Sequence, residues 1–403
     1  MVTNLTDEER TFVRALREQN SDLLTDHYNN DFNLLRWAQG YGFNLAEASA
    51  ELHRHLQFRR FYDLDNADRI KEHEVLKKYF PIGLVGETGV NNNLLVIECA
   101  GKIDLMGILK SVHLSDFLIQ RFRIQEKMLR AMNDLEKKSG KQASVIYILD
   151  LEGMKFDPTL LSVVTGPYRI LWASVYTNYP EWIDKMLIIN APSFMSLLWK
   201  AIGPLLPERT RNKVKICGPN IDHWQEQVLQ YVKPEFLPKY WGGELVDANG
   251  DGMCRDRLNI PTDPIPHDLY WIPSKETPDK EDIISTCISA GKAKTFTFVV
   301  EADHKPHYII INRFSDRTFG MGIWYSKDTA SIAWDLSEMD EWFPDFDYPG
   351  MPTTDNMKVK VPGPGVYKVK LGNEGAWIRS LTVYHRIRFA DIDGKEVPHR
   401  VVE

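Results

Sequence analysis

The stretch NYPEWIDKMLIINAPSFMSLLWKAIGPLLPERTRNKVKICG, residues 178–218, decides the fold. Its run MLIIN (186–190) is short, apolar and bounded by polar or turn residues, the pattern of a strand buried on both faces. VKIC (214–217) reads the same way. Between them, residues 193–206 form a helical pattern in which Phe194, Met195, Leu197, Leu198, Trp199, Ile202, Leu205 and Leu206 cover nearly the whole circumference. Only Ser196 and Lys200 are clearly polar. A helix apolar all round is either enclosed on every side or meets something other than water. It is thus either a core helix or a lid whose inner face covers an apolar ligand and whose outer face touches a bilayer during exchange. Gly203-Pro204 supplies a hinge and a stop.

Working outward, LLVIEC (94–99) and SVIYIL (144–149) repeat the strand pattern, with helical patterns at about 115–138 and 158–178 between the strands. Strands alternating with helices imply parallel pairing through right-handed crossovers, so residues 71–245 read as an α/β domain. Upstream, Thr6 and Glu9 make a capping box ahead of Phe12, Val13 and Leu16. A second helix spans about 31–39, and a third, starting at Asn44, carries the stripe Leu45, Ala48, Leu52 and Leu56. Residues 1–70 are therefore a small helical module. DANGDG and IPTDPIP mark a linker over 246–274. From 275 to 403 the period is that of strands. In the last run Trp377, Leu381, Val383, Ile387 and Phe389 share one parity, which predicts an antiparallel β-sandwich.

Composition agrees with a globular chain: 403 residues, 43% hydrophobic and 26% charged. The net charge of −7, with both signs interspersed, argues against a general nucleic-acid binder, which needs a basic face. The opening MVTNLTDEER lacks the regions of a secretory signal and no apolar run is long enough to span a bilayer, so a cytoplasmic protein is expected. Cys99, Cys217, Cys254 and Cys287 are far apart, as suits reduced thiols.

Catalytic motifs are missing: the sequence has no Walker loop, GxSxG elbow or HExxH helix. GLVGETG (83–89) precedes a strand, not a helix, and reads as a turn. DANGDG (247–252) begins like a calcium loop but places Leu258 where the bidentate Glu belongs. His304 and His307 lack a further ligand nearby. No metal and no cofactor are expected. Asp150 and Glu152 pair at the C-terminal end of a strand, where α/β sites gather. They read as a structural turn, and an enzymatic reading would make them acid and base. His53 and His55, near Arg54, Arg59 and Arg60, fit a solvated basic helix end or a contact with anionic headgroups.

Val145, Tyr147 and Leu149 share one strand face, and the following helix offers Tyr168, Trp172, Val175 and Tyr176. This surface is either core or the wall of a cavity. A sixteen-carbon chain costs roughly 12 kcal/mol to expose at about 0.8 kcal/mol per methylene, so a carrier needs an enclosed pocket and a lid.

The pieces DFNLLRWAQGYGFNLAEASA, LLVIECAGKID, VIYILDLEGM, the 178–218 stretch and LPKYWGG resemble the CRAL-TRIO lipid-binding family, in family order, over about residues 30 to 243. The resemblance implies a hydrophobic ligand and no catalysis. The pocket lining is then Val145, Tyr147, Leu149, Tyr168, Trp172 and Val175, and the gate is Phe194, Leu198, Trp199 and Ile202. Phosphoinositide-binding members carry hydroxyl side chains three and five residues before the Asp of the DLEG-like motif, where this chain has Tyr147 and Val145. Squalene-, tocopherol- or retinoid-like ligands fit better. Glu181 and Lys213 do match, either as a headgroup site or as a structural ion pair. GVYKVKLGNEGAWIRSLTVYHRIRF (365–389) resembles a GOLD domain, with Ala376 where the family usually has Ser. CRAL-TRIO followed by GOLD is the arrangement of the supernatant protein factor group. Two functions stay open: a lipid-transfer protein with transient membrane contact, or a Golgi or vesicle adaptor whose GOLD-like domain binds protein partners while lipid is a sensed input.

Overall fold

The structure, a computed structural model, describes residues 4–156, 169–203, 208–261, 263–272, 280–315, 317–350 and 353–402. Helix α1 (Asp7–Gln19) opens on the expected box, Thr6 accepting from the Glu9 backbone while the Glu9 carboxylate accepts from the Thr6 N–H. Helices α2 (Asp31–Gly40) and α3 (Leu45–Tyr62) are capped by Asn30 and Asn44. Such caps answer N–H groups that no helical carbonyl reaches. The three helices share a core at Leu16, Leu34, Trp37 and Leu52, all fully buried.

The chain continues through α4 (Glu74–Tyr79), β1 (Ile82–Glu87), β2 (Asn93–Glu98), α5 (Leu105–Ser111), α6 (Leu114–Ser139), β3 (Ser144–Asp150), α7 (Arg169–Asn178), β4 (Ile183–Ile189), α8 (Met195–Ile202), α9 (Glu208–Arg211), β5 (Val214–Ile216) and α10 (Ile221–Leu229). The strands form one sheet in the order β1-β2-β3-β4-β5, and β2 to β5 run parallel. The first strand departs from the sequence reading, because residues 83–87 of GLVGETG pair antiparallel with β2 instead of forming a turn. Its glycine serves close approach: a Cβ on Gly83 would meet the Arg257 carbonyl at 2.2 Å.

The two faces of the sheet bury different sets. Leu94, Val96, Val145, Tyr147 and Ile188 join the core shared with α6 and α7. Leu95, Ile97, Ile146, Ile148, Leu187 and Ile189 pack against Trp224, Val228 and Trp241. Alternation along each strand produces this division. Residues on either side of 262 are held against the sheet and α5, with Leu258 buried, Arg257 donating to the Val85 carbonyl at 2.9 Å and the Ile265 N–H donating to Asp104 at 3.0 Å.

Strands β6 (Ile284–Ile288), β7 (Ala293–Val300), β8 (Tyr308–Phe314), β9 (Phe319–Ser326), β10 (Asp340–Tyr348), β11 (Asp355–Lys360), β12 (Gly365–Gly372), β13 (Leu381–Ala390), β14 (Glu396–Val397) and β15 (Arg400–Val402) make two antiparallel sheets. One runs β10-β9-β12-β7-β15, the other β11-β8-β13-β14 with β6 beside β13. Phe389 meets Tyr367 and Phe298 across the gap, at 4.8 and 6.0 Å between ring centroids. Trp377 corrects the parity reading. Leu381, Val383, Ile387 and Phe389 are buried, but Trp377 is 95% exposed in the loop that follows β12. Strand pairing ends at Gly372, and Asn373 instead holds the carbonyls of Ile288 and Arg379.

The edge strands β10 and β11 both face the helices. Phe61 meets Phe343 with ring centroids 4.1 Å apart and planes tilted by 49°, the Arg60 guanidinium lies 4.5 Å over the Trp342 ring, and Ser115 donates twice to Asp355 at 2.9 and 2.8 Å. At these contacts the edges are closed to unwanted strand pairing, while between Asp355 and Lys360 the edge of β11 borders a cleft.

Candidate functional site

The face of β3 that the sequence singled out is assembled as alternation requires. Val145 and Tyr147 are fully buried and Leu149 is half-buried, all in one apolar cluster with Trp172 and Val175 of α7. Tyr147 stands edge-on to Trp172 at 5.7 Å and to Trp182 at 5.8 Å. Tyr168 lies outside the described residues.

Two polar groups share this face, and sequence reading missed both. Tyr147 donates its hydroxyl proton to the carboxylate of Glu98, itself wholly buried at the end of β2. The buried guanidinium of Arg121, from α6, lies 5.5 Å from the Trp172 ring and 5.1 Å from Phe80. A signal existed for Glu98, since an acid closing a run as apolar as LLVIE goes into the interior with its strand. For Arg121 there was none, because charged residues line the rest of its helix.

Helix α8 is two-sided. Met195 and Leu198 are buried, Phe194 and Trp199 half-buried, while Ser196, Leu197 and Lys200 face solvent. Phe194 meets Phe156 edge-on at 5.4 Å. The side chain of Ile202 and the segment 204–207 lie outside the described residues. Gly203 continues in helical geometry, at φ −50° and ψ −47°.

Glu181 and Lys213 are brought together as an ion pair. Lys213 donates to Glu181 at 2.6 Å and to the Ile183 carbonyl at 2.8 Å, and Arg209 approaches Glu181 at 3.6 Å. Glu181 takes a left-handed backbone, φ 52°, where the chain turns into β4. The cluster borders a cleft of about 370 Å³ with Tyr41, Tyr176 and Trp182 on its walls.

The basic end of α3 is solvated only in part, contrary to its sequence reading: Arg60 is exposed and His53 and Arg54 are half-buried, but His55 and Arg59 are not in water. His55 is fully buried and donates to Asn178 at 3.1 Å. Arg59 is buried against Glu126 at 2.6 Å, which also accepts from Tyr179 at 2.6 Å. Helix α3 lies between the other N-terminal helices, α7 and β10, so both of its sides meet protein. Burial, then Arg59, holds the imidazole well below its usual pKa.

Asp150 accepts from the Glu152 N–H, Asn190 and the Trp241 indole, at 2.9, 2.8 and 2.9 Å. These bonds make it a fastener of the loop. Burial first, and Asp150 second, push the nearby Cys99 thiol up to about 12. Among the described residues no three His, Cys, Asp or Glu side chains are grouped to hold a metal ion, and no helix is long and apolar enough to cross a membrane.

Comparison with known proteins gives the family. A family model described as CRAL/TRIO domain matches residues 79–243, and one described as F28H7_8_C:-like, C-terminal domain matches residues 269–398. The chain is 32% identical over 392 residues to the CRAL-TRIO domain-containing protein F28H7.8 of Caenorhabditis elegans, covering 96% of this chain and 91% of that protein. It is 25% identical over 366 residues to the protein ctg-1 of the same organism, covering 90% and 92%. The crystal structure of Sfh5 superposes with a TM-score of 0.46 at 16% identity, over 62% of this chain and 90% of that one. The chain belongs to the CRAL-TRIO domain-containing proteins, a family whose members are generally non-enzymatic and bind or transfer lipids.

Proposed function

We propose that this protein carries one hydrophobic molecule in an enclosed pocket between the β3 face and α8, releasing and loading it at membrane surfaces. In this reading Val145, Tyr147, Leu149, Tyr168, Trp172 and Val175 line the pocket, and Phe194, Leu198, Trp199 and Ile202 form the inner face of the gate. The observation that carries it is the two-sidedness of α8: Leu198 is 3% exposed while Leu197, one position on, is 52% exposed. A large aliphatic side chain left in water beside a buried one suits a helix that exchanges its protein contact for a bilayer contact.

The ligand class is mainly apolar with one polar end. The rings of Tyr147, Trp172 and Trp182 supply flat apolar contact, and the Glu98–Tyr147 pair gives a hydrogen-bond acceptor for a ligand hydroxyl. Lys213 is engaged by Glu181 and by a backbone carbonyl, which favours a structural clamp between β4 and β5 over a headgroup site. The protein works from the cytosol, and the GOLD-like sandwich is an accessory to transfer. The test is transfer of a fluorescent sterol or tocopherol analogue between vesicles. Leu197→Asp keeps the fold and slows transfer at least tenfold while equilibrium uptake stays near wild type. Transfer at the wild-type rate would remove α8 from the exchange step.

A further inference from the structure

Between α3, α6 and the sandwich lies a cleft of about 920 Å³, bordered on the sandwich side by both alternating sets of residues of β11 and the position after it, Asn356, Lys358 and Lys360 on one hand and Met357 and Val361 on the other. A groove that meets both sets runs along the edge of the strand, where unpaired backbone groups point. The direction of those groups follows from three bonds. The Val361 N–H donates to the His307 carbonyl at 3.0 Å, so the odd-numbered residues turn their backbone toward β8. The Thr354 carbonyl accepts from His113 at 2.6 Å and the Lys360 carbonyl accepts from the indole of Trp342, on β10, at 2.9 Å, so the even-numbered residues turn theirs away from β8. By the alternation of an antiparallel ladder, Asn356 and Lys358 present an N–H and a C=O each to the groove between those two fastened points.

The charge of the groove defines what it accepts. Arg60, Lys358 and Lys360 border it, against Asp63 and Asp116. Arg60 is laid over the Trp342 ring at 4.5 Å and Lys358 over the Tyr308 ring at 3.9 Å, so ring contacts hold two of the cations in place, and among the described residues neither is closed into a direct ion pair, Asp340 and Asp22 acting on Arg60 only through their field. We propose that this groove binds an extended acidic peptide of a partner protein, which adds a short strand to β11 at Asn356 and Lys358 and places its carboxylates near Lys358, Lys360 and Arg60. Main-chain bonds set the pose and the cations select the sequence. The site would give the sandwich a protein-binding role independent of lipid carriage, and the walls contributed by α3 and α6 tie it to the rest of the chain.

The experiment titrates the full-length protein with a fluorescein-labelled peptide of alternating Glu and Val. Companion probes are the same peptide N-methylated at alternate amides, its Lys-for-Glu counterpart, and phosphatidylserine vesicles. Strand addition predicts saturable binding of the acidic peptide, at least tenfold weaker binding of the N-methylated and Lys peptides, and at least a tenfold loss in Lys358→Glu. Lipid uptake is unchanged in that variant, which separates this site from the carrier reading. Equal binding of the N-methylated peptide overturns the proposal, as does absence of acidic-peptide binding at the highest soluble concentration. Vesicle binding lost in Lys358→Glu, or a dimer dissolved by it, with no peptide binding in either case, assigns the groove to a lipid surface or a second copy and likewise overturns it.

Discussion

Tyr147 donates its phenolic proton to Glu98, and both residues are wholly buried on the face of the sheet that carries Val145 and Leu149. A carboxylate in an apolar wall depends on such donors, since a buried polar group stripped of a partner costs about 1–3 kcal/mol. Tyr147→Phe is therefore expected to lower stability to urea by about that amount. Glu98→Gln, which keeps the shape and loses the charge, restores part of it in the Phe background. A change below ~0.5 kcal/mol in Tyr147→Phe, the range typical of inert surface sites, would contradict a structural hydrogen bond here.

The Arg59–Glu126 pair joins α3 to α6 with side chains only 4% and 1% exposed, and Tyr179 and Asp65 complete the network. Removing one partner leaves the other charge buried, at a cost of about 3–5 kcal/mol. Glu126→Ala is expected to show this in chemical denaturation, and Arg59→Met in the same chain to recover a large part. Additive losses in the double variant would mean that the two side chains do not act together.

Two imidazoles make the fold sensitive to acid. Burial, with Arg59 in second place, holds His55 well below its usual pKa, and burial with Lys294 in second place lowers His385 to about 4. Above about pH 6.5 both residues are neutral folded and unfolded, so neither contributes to stability. As pH falls below that value the unfolded chain takes up protons that the folded chain refuses. Each residue then costs about 1.4 kcal/mol per pH unit, down to its own folded pKa. Unfolding free energies measured from pH 7.5 to 4.5 are expected to fall along this slope, and His55→Gln to flatten it by about one proton. An unchanged slope in His55→Gln would show that this imidazole is protonated in the folded state.

The difference between Leu197 and Leu198 gives a further check. Leu198→Ala removes a buried side chain and is expected to cost about 2–5 kcal/mol in unfolding free energy. Leu197→Asp, on the exposed side of α8, is expected to stay within about 0.5 kcal/mol of wild type. Comparable losses in both would mean that α8 is enclosed on all sides.

What could be read from the sequence was whatever depends on local period. MLIIN, SVIYIL and LLVIEC gave the parallel strands because their apolar runs have the length and boundaries of buried strands. The Thr6–Glu9 box placed the start of α1 because a cap is a matter of four neighbouring residues. Strand β1 escaped notice because Gly83 and Gly86 mimic a turn, and Gly83 is required by a segment more than 170 residues away. His55 and Arg59 were misread because a helix with polar groups on several sides looks exposed until its packing partners are known. Tyr147 was found by parity, but its partner Glu98 comes from another strand, and the register of two strands is not written in either. The groove beside β11 needed the docking of helices on a sheet edge, which no local pattern encodes.

The central claim is that the middle of the molecule shelters a single hydrophobic guest. Native mass spectrometry of the full-length protein, purified without detergent after incubation with mixed-lipid vesicles and followed by organic extraction, reads this directly. The account expects one bound molecule per chain, with a mass matching an apolar lipid in the extract and reduced occupancy in Leu198→Asp. A spectrum holding only the mass of the bare polypeptide, with nothing in the extract beyond a vesicle-free control, would contradict it.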